Sequence, residues 1–263
     1  MLVDIGANLT HQSFEPDLDA VLDRAFGNGV EHIVVTGTCL ESSRAAIDLA
    51  SRFPSKLSAT VGIHPHEAES FSEGDLRALA ELSALTEVSA LGEMGLDYNR
   101  NFASRTAQVR AFEGQLQLAA DLQRPVFVHE RDAAEDMLAL LEKYRPMLTA
   151  AVVHCFTGEE ATLKAYLDLD VHIGITGWIC DERRGNHLRD LVGIVPRGRL
   201  MLETDSPYLM PRDYPAKKQL HSTRRNEPVT LMHIAETVSN CRGESLEELC
   251  EHTAATSRSF FSR

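Results

Sequence analysis

The chain is predicted to be an α/β protein folded as a single (β/α)8 TIM barrel, one domain spanning residues 1–263. Three observations carry that expectation. Eight short, apolar, β-branched runs alternate with helical patterns from one end to the other, which reads as repeated strand–helix units around a parallel sheet. The length of 263 residues lies close to the usual size of such a barrel. Neither a GxGxxG after the first strand nor a Walker A sequence is present, which weakens the competing open, doubly wound sheet.

The strands are expected at Leu2–Ile5, His32–Thr36, Leu57–Ile63, Val88–Gly92, Pro125–His129, Ala150–His154, Val171–Thr176 and Arg199–Glu203. Between them the 3.6-residue period recurs. Leu18, Val21, Leu22, Ala25 and Phe26 form one such stripe, and Ala46, Leu49, Ala50 and Phe53 a second. Met137, Leu140, Leu141 and Tyr144 form a third, and Leu188, Leu191, Val192 and Val195 a fourth. The segment Pro207–Asn226 is long and rich in Pro, Arg and Lys, and reads as an active-site loop after the eighth strand. A helix with Leu231, Ile234, Ala235 and Val238 on one face follows it. A last helix opens at Ser245, which forms a capping-box pattern with Glu248.

Composition narrows the function classes. The five cysteines are scattered, with no Cys-x-x-Cys pair, so neither a disulfide framework nor a structural zinc site is expected, and they read as small hydrophobes in a reducing cytoplasm. No targeting segment or membrane span is apparent. The formal charge of −13, from 39 acidic and 26 basic side chains, argues against broad binding of duplex nucleic acid. A polyanionic substrate remains compatible with it, because a divalent cation and a few arginines supply local positive charge.

Unusual polar residues fall at the same end of successive strands, where barrel enzymes carry their catalytic groups. The first strand leads to Asn8 and the third to Gly62-Ile63-His64-Pro65-His66. The fourth reaches Gly92-Glu93-Met94-Gly95-Leu96-Asp97, the fifth His129, the sixth His154-Cys155-Phe156-Thr157-Gly158, and the eighth Glu203-Thr204-Asp205-Ser206-Pro207. Taken singly, each has a plain structural use: a strand-end His is usually just hydrogen-bonded, Glu93 could pair with an arginine, and Asp205 could cap a turn. Together they point to a shared partner, and a divalent cation is the natural candidate. Glu93, His129, His154 and Asp205 are the expected ligands, with His64 as a phosphate contact and His66 less certain.

The other histidines, His11, His32, His172, His187, His221, His233 and His252, read as surface or packing residues. Arg183 and Arg184 follow the seventh strand, and Arg224 and Arg225 follow the eighth. Arg184 and Arg225 are taken as candidate phosphate contacts because guanidinium forks suit phosphate oxygens. Asn226-Glu227-Pro228 also makes a good helix start, so part of that motif serves the fold. Phe102, Trp178 and Tyr208 are available to stack bases, with packing or loop bracing as the competing use.

These motifs resemble the TatD-type metal-dependent deoxyribonucleases over essentially the whole chain. The resemblance is carried by Asp4-Ile5-Gly6-Ala7-Asn8-Leu9-Thr10, by the strand-end motifs above, and by Gly174-Ile175-Thr176-Gly177-Trp178, Cys180-Asp181-Glu182-Arg183-Arg184-Gly185 and Arg224-Arg225-Asn226-Glu227-Pro228. It implies a TIM barrel holding one or two divalent ions, Mg2+ or alternatively Mn2+, on Glu93, His129, His154 and Asp205. It further implies 3′→5′ exonuclease action on 3′ ends of single-stranded DNA or RNA, in DNA repair or nucleic-acid degradation, by a cytoplasmic monomer without a membrane partner. Glu93, Asp205 and His64 are then the catalytic candidates, and His64, His66, Arg184 and Arg225 the substrate-binding ones.

One departure stands out. Many relatives carry a His-x-His pair on the first strand, where this chain has Gly6 and Asn8. That leaves open the first metal position, and with it two rival readings. One is an amidohydrolase-like esterase or amidase, such as an aminoacyl-tRNA deacylase. The other is a catalytically inactive nucleic-acid-binding relative.

Overall fold

The computed structural model of the chain describes residues 1–217, 220 and 224–262, so His221 lies outside the described residues. The eight strands are β1 (Leu2–Ala7), β2 (Val30–Val35), β3 (Leu57–Val61), β4 (Val88–Asp97), β5 (Val126–Arg131), β6 (Ala151–His154), β7 (His172–Ile175) and β8 (Leu200–Leu202). They pair in parallel, in sequence order, as one sheet. The ring closes just beyond β8, where Asp205 donates its amide to the Gly6 carbonyl at 2.9 Å and Asn8 donates to the Ser206 carbonyl at 2.7 Å. This is the expected (β/α)8 barrel.

The surrounding helices are α1 (Leu18–Gly27), α2 (Leu40–Arg52), α3 (Glu73–Ser83), α4 (Arg105–Leu122), α5 (Ala134–Tyr144), α6 (Glu160–Asp168), α7 (Asn186–Leu191), α8 (Leu231–Arg242) and α9 (Leu246–Phe261). Their apolar stripes are buried as the period predicts: Val21, Leu22 and Ala25 of α1, Ala46, Leu49 and Ala50 of α2, Met137 and Leu141 of α5. The capping box at Ser245 and Glu248 forms and starts α9. None of the described helices is long and apolar enough to cross a membrane.

Two apolar layers result. The outer one lies between strands and helices. The inner one fills the barrel with Val3, Ile5, Phe127, Val152 and Met201, and Ala254 and Phe260 of α9 close it from one end. That plug leaves the opposite end, where the strands terminate, as the mouth available for a site.

The largest difference from the sequence reading is β4. It was expected to stop at Gly92 but runs to Asp97, fully buried throughout. Gly92 and Gly95, which look like strand breakers, have φ of 140° and 143°, and a Cβ on either would strike the β5 backbone. The glycines therefore allow β4 to press against β5 and carry Glu93 and Asp97 within the strand.

The β1–β8 seam is tied by a buried carboxyl. Asp4 accepts bonds from the Thr204 amide (2.9 Å), the Thr204 hydroxyl (2.6 Å) and the Gly6 amide (3.3 Å). Burial pushes the Asp4 carboxyl up to about 8 from 3.8; the Thr204 bonds oppose that rise and the Glu203 charge adds to it. A proton is thus held by the fold and released on unfolding, so this contribution is full below about 4 and is lost as pH rises through about 8. Urea unfolding is expected to show stability declining across that window in the wild type, and a flatter profile in Asp4→Asn. Asp4→Ala, which strands three buried donors, should cost on the order of 2–4 kcal/mol.

Candidate metal centre

Glu93 is buried at the centre of the mouth. Its Oε1 lies 3.2 Å from His64 Nε2, 3.1 Å from His129 Nδ1 and 2.9 Å from His154 Nε2. The three imidazoles arrive from separate elements: His64 from the turn after β3, His129 from β5 and His154 from the end of β6, with His129 and His154 in register as neighbours. His64, Glu93 and His129 offer ligand atoms all within 4.8 Å of one another.

Burial opposes ionisation of Glu93, yet the charges of His154 and His64 and the bonds from His129 and His154 hold it well below the usual carboxylate range. The imidazoles respond unequally. Burial lowers His64 to about 4 despite the nearby Glu93 charge. His129 and His154 also lose hydration, but their carboxylate partners raise both, His154 strongly.

This arrangement fits a divalent cation. A carboxylate oxygen has about two lone pairs, too few for three ring nitrogens to donate to Oε1 at once. The buried His129 Nε2 has no hydrogen-bond partner and sits 3.6 Å from Asp97 Oδ2, beyond bonding range. Imidazole nitrogens and carboxylate oxygens are the donor types such a cation takes, and a cation would turn this crowding into coordination.

Asp205 stands at the mouth after β8 with φ of 51°. Its Oδ1 accepts from the Asn8 side-chain amide at 3.0 Å. Burial pushes its carboxyl up to about 7, with the charge of His154 opposing and those of Glu93 and Glu203 adding. Asp205 and His154 do not belong to the closest ligand group, which contains His64 instead. His64 therefore sits deeper than a phosphate contact was expected to. His66 turns outward to Asp97 at 2.7 Å and packs edge-on against the exposed Phe102.

Glu203, whose role the sequence alone does not reveal, matters here. Fully buried, it bonds His154 Nδ1 at 3.2 Å and accepts the Cys155 amide at 2.5 Å. Holding Nδ1 aims Nε2 at Glu93. Its carboxylate occupies a cradle that only glycines leave open: a Cβ on Gly6 would come within 2.6 Å of Oε2, and a Cβ on Gly174 within 2.6 Å of Oε1. The missing first-strand histidine thus has a physical counterpart. Glu203 fills the space beside Gly6, and Asn8 turns to Asp205.

The basic residues divide. Arg225 is buried and bonds both Asp17 oxygens at 2.6 and 2.8 Å, Glu227 at 2.7 Å and the Ser13 carbonyl at 2.6 Å. Those bonds from Nη1 and Nη2 tie the segment before α8 to the segment before α1, which corrects its reading as a phosphate contact; its Nε is buried without a partner. Arg184 lies over the Trp178 ring, 5.8 Å from its centroid, in a cleft beside the mouth. Tyr208 is exposed rather than packed inside, as is Phe102. The cysteines are all free. Cys180, Asp213 and His233 also converge, but Cys180 bonds Thr237 and Asp213 pairs with His233, so each has a protein partner.

Comparison with known proteins gives the family. The family model described as TatD related DNase matches residues 3–262. The protein named 3'-5' ssDNA/RNA exonuclease TatD from Salmonella typhimurium is 46% identical over 260 residues, covering 99% of this chain and 98% of that one. Its namesake from Escherichia coli K12 is 45% identical with the same coverage. The crystal structure of a hydrolase TatD family protein from Entamoeba histolytica superposes with a TM-score of 0.88 at 29% identity, over 99% of this chain and 98% of that one. A nearly full-length family match, close relatives and a shared barrel place this chain in the TatD-related DNase family.

Proposed function

We propose that the protein is a metal-dependent 3′→5′ exonuclease that hydrolyses phosphodiester bonds at the ends of single-stranded DNA or RNA. The observation that carries this reading is the convergence of three imidazoles on Glu93 Oε1 at an open barrel mouth. The relatives named as ssDNA/RNA exonucleases support the substrate class.

Glu93, His129 and His154 would hold the cation, with His64 alongside and Asp205 completing the mouth. Three imidazoles beside Glu93 suit a borderline ion such as Mn2+, and the nearby carboxylates of Asp205 and Glu203 extend the set toward Mg2+. Bound there, a divalent cation supplies neutralisation of phosphoryl charge and acidification of water.

The side chains supply the rest. Glu93 and the imidazoles exclude bulk water from the floor of the mouth. Burial raises the Asp205 carboxyl in the metal-free site, and a bound cation would favour its ionised, proton-accepting form. Asn8 occupies its Oδ1, which leaves Oδ2 to take the proton from the attacking water. Glu203 keeps the His154 ring oriented through Nδ1. Arg184, at the neighbouring cleft, would take substrate phosphate, and His66, steadied by Asp97, would meet the strand as it enters. A cytoplasmic monomer degrading damaged or spent strands fits the scattered free cysteines and the acidic surface.

Digestion of strands labelled at either end tests the reading. Label at the 3′ end should be released first from single-stranded substrate with Mg2+ or Mn2+, and EDTA should abolish release. Initial loss of 5′ label, or full activity in EDTA, would overturn it. Glu93→Gln and Asp205→Asn should each lower the hydrolysis rate by about 10²–10⁴-fold with an unchanged circular dichroism spectrum. Glu203→Gln should weaken Mn2+ binding by roughly 10–100-fold and lower the His154 pKa, read by NMR titration of the metal-free protein.

A further inference from the structure

Beside the mouth lies a cleft of about 540 Å³ whose lining includes Arg131, Thr157, Trp178, Arg184 and His187. Trp178 is the chain's single tryptophan and is half-buried. The Arg131 guanidinium lies 5.5 Å from its ring centroid and that of Arg184 5.8 Å, both within cation–π range. The position follows from strand geometry. Phe127, His129 and Arg131 alternate along β5 onto one face, the first stacked on His154 and the second against Glu93. Arg131 is therefore one strand repeat, about 7 Å, outward from the metal centre. Its Nη1 bonds Thr157 at 3.2 Å, and His187 holds the Thr157 carbonyl at 3.1 Å, so the β6 loop forms one wall. Three carboxylates share the lining with the arginines: Glu130 accepts the Ala133 amide at 2.8 Å, Asp132 accepts the Asn99 amide group at 2.8 Å and lies 3.8 Å from Arg131 Nε, and Glu159 stands on the β6 loop.

We propose that this cleft is a nucleotide subsite, in which the base next to the scissile phosphodiester stacks on Trp178 while Arg131 and Arg184 take its phosphate. The inference rests on the nuclease reading above and adds the group that selects unpaired strands. Guanidiniums already poised over an indole mark a surface suited to a flat, electron-rich ring with an adjacent anion. Stacking on an aromatic side chain is tolerant of sequence but requires a free base face. In a duplex that face is covered by the neighbouring base pair, so the same cleft discriminates against paired ends.

The single tryptophan makes the test direct. In EDTA, where no cleavage occurs, a single-stranded hexadeoxynucleotide should quench the protein's tryptophan fluorescence, while a blunt duplex of the same sequence should not. Anisotropy of a labelled copy of the same oligonucleotide gives the affinity independently. Trp178→Ala should weaken binding by about tenfold or more, Trp178→Phe should restore most of it, and Arg184→Ala should weaken it and flatten its salt dependence. Binding by anisotropy with unchanged fluorescence would overturn the subsite, as would equal affinity in Trp178→Ala and wild type. Absence of any binding would overturn it too. The nuclease reading is decided separately, by release of 3′ label from the metal-loaded wild type, so the two can fail independently.

Discussion

Everything at the mouth depends on one crowded oxygen. Glu93 Oε1 sits within 3.2 Å of nitrogens from His64, His129 and His154, an arrangement one carboxylate oxygen cannot satisfy by hydrogen bonding alone. Three elements far apart in sequence must be held to bring those rings together. The barrel does this by closing β1 against the residues after β8, and α9 plugs its other end with Phe260. Burying four titratable groups together would be costly in an isolated core. A cation resolves that cost, which is why the fold can afford the cluster.

The second layer keeps the first in place. Glu203 holds His154 through Nδ1, Asp97 receives His66, and Asn8 holds Asp205. The glycines Gly6 and Gly174 are part of that layer, because any side chain on either would collide with the Glu203 carboxylate. A first strand without histidines fits this site, in which a buried carboxylate fills the space beside Gly6. Farther out, the polar mouth continues along β5 into the Arg131–Trp178–Arg184 cleft.

Much of the barrel was legible in the sequence because strands buried on both faces must be apolar nearly throughout, and the helical stripes between them bury as their period demands. β4 was misjudged at its end because Gly92 and Gly95 break a strand pattern when only the one strand is considered. Their role is the approach of β5, which no local pattern encodes. Glu93, His129, His154 and Asp205 could be picked out because polar groups at successive strand ends have no separate structural reason to coincide. Glu203 escaped notice because its meaning lies in distances to Gly6 and Gly174. Arg225 misled for a similar reason: its partner Asp17 is 208 residues away, and two adjacent arginines in a loop look the same whether they face solvent or a carboxylate of the same chain.

The Glu93 cluster has the donors of a cation site. Titration of metal-free protein with Mn2+, followed by electron paramagnetic resonance, tests that most directly. Saturable binding that releases protons from the raised imidazoles, weakened in Glu93→Gln by more than the roughly 10–100-fold typical of outer-layer residues, is the predicted result. Equal Mn2+ affinity in Glu93→Gln and wild type would contradict it.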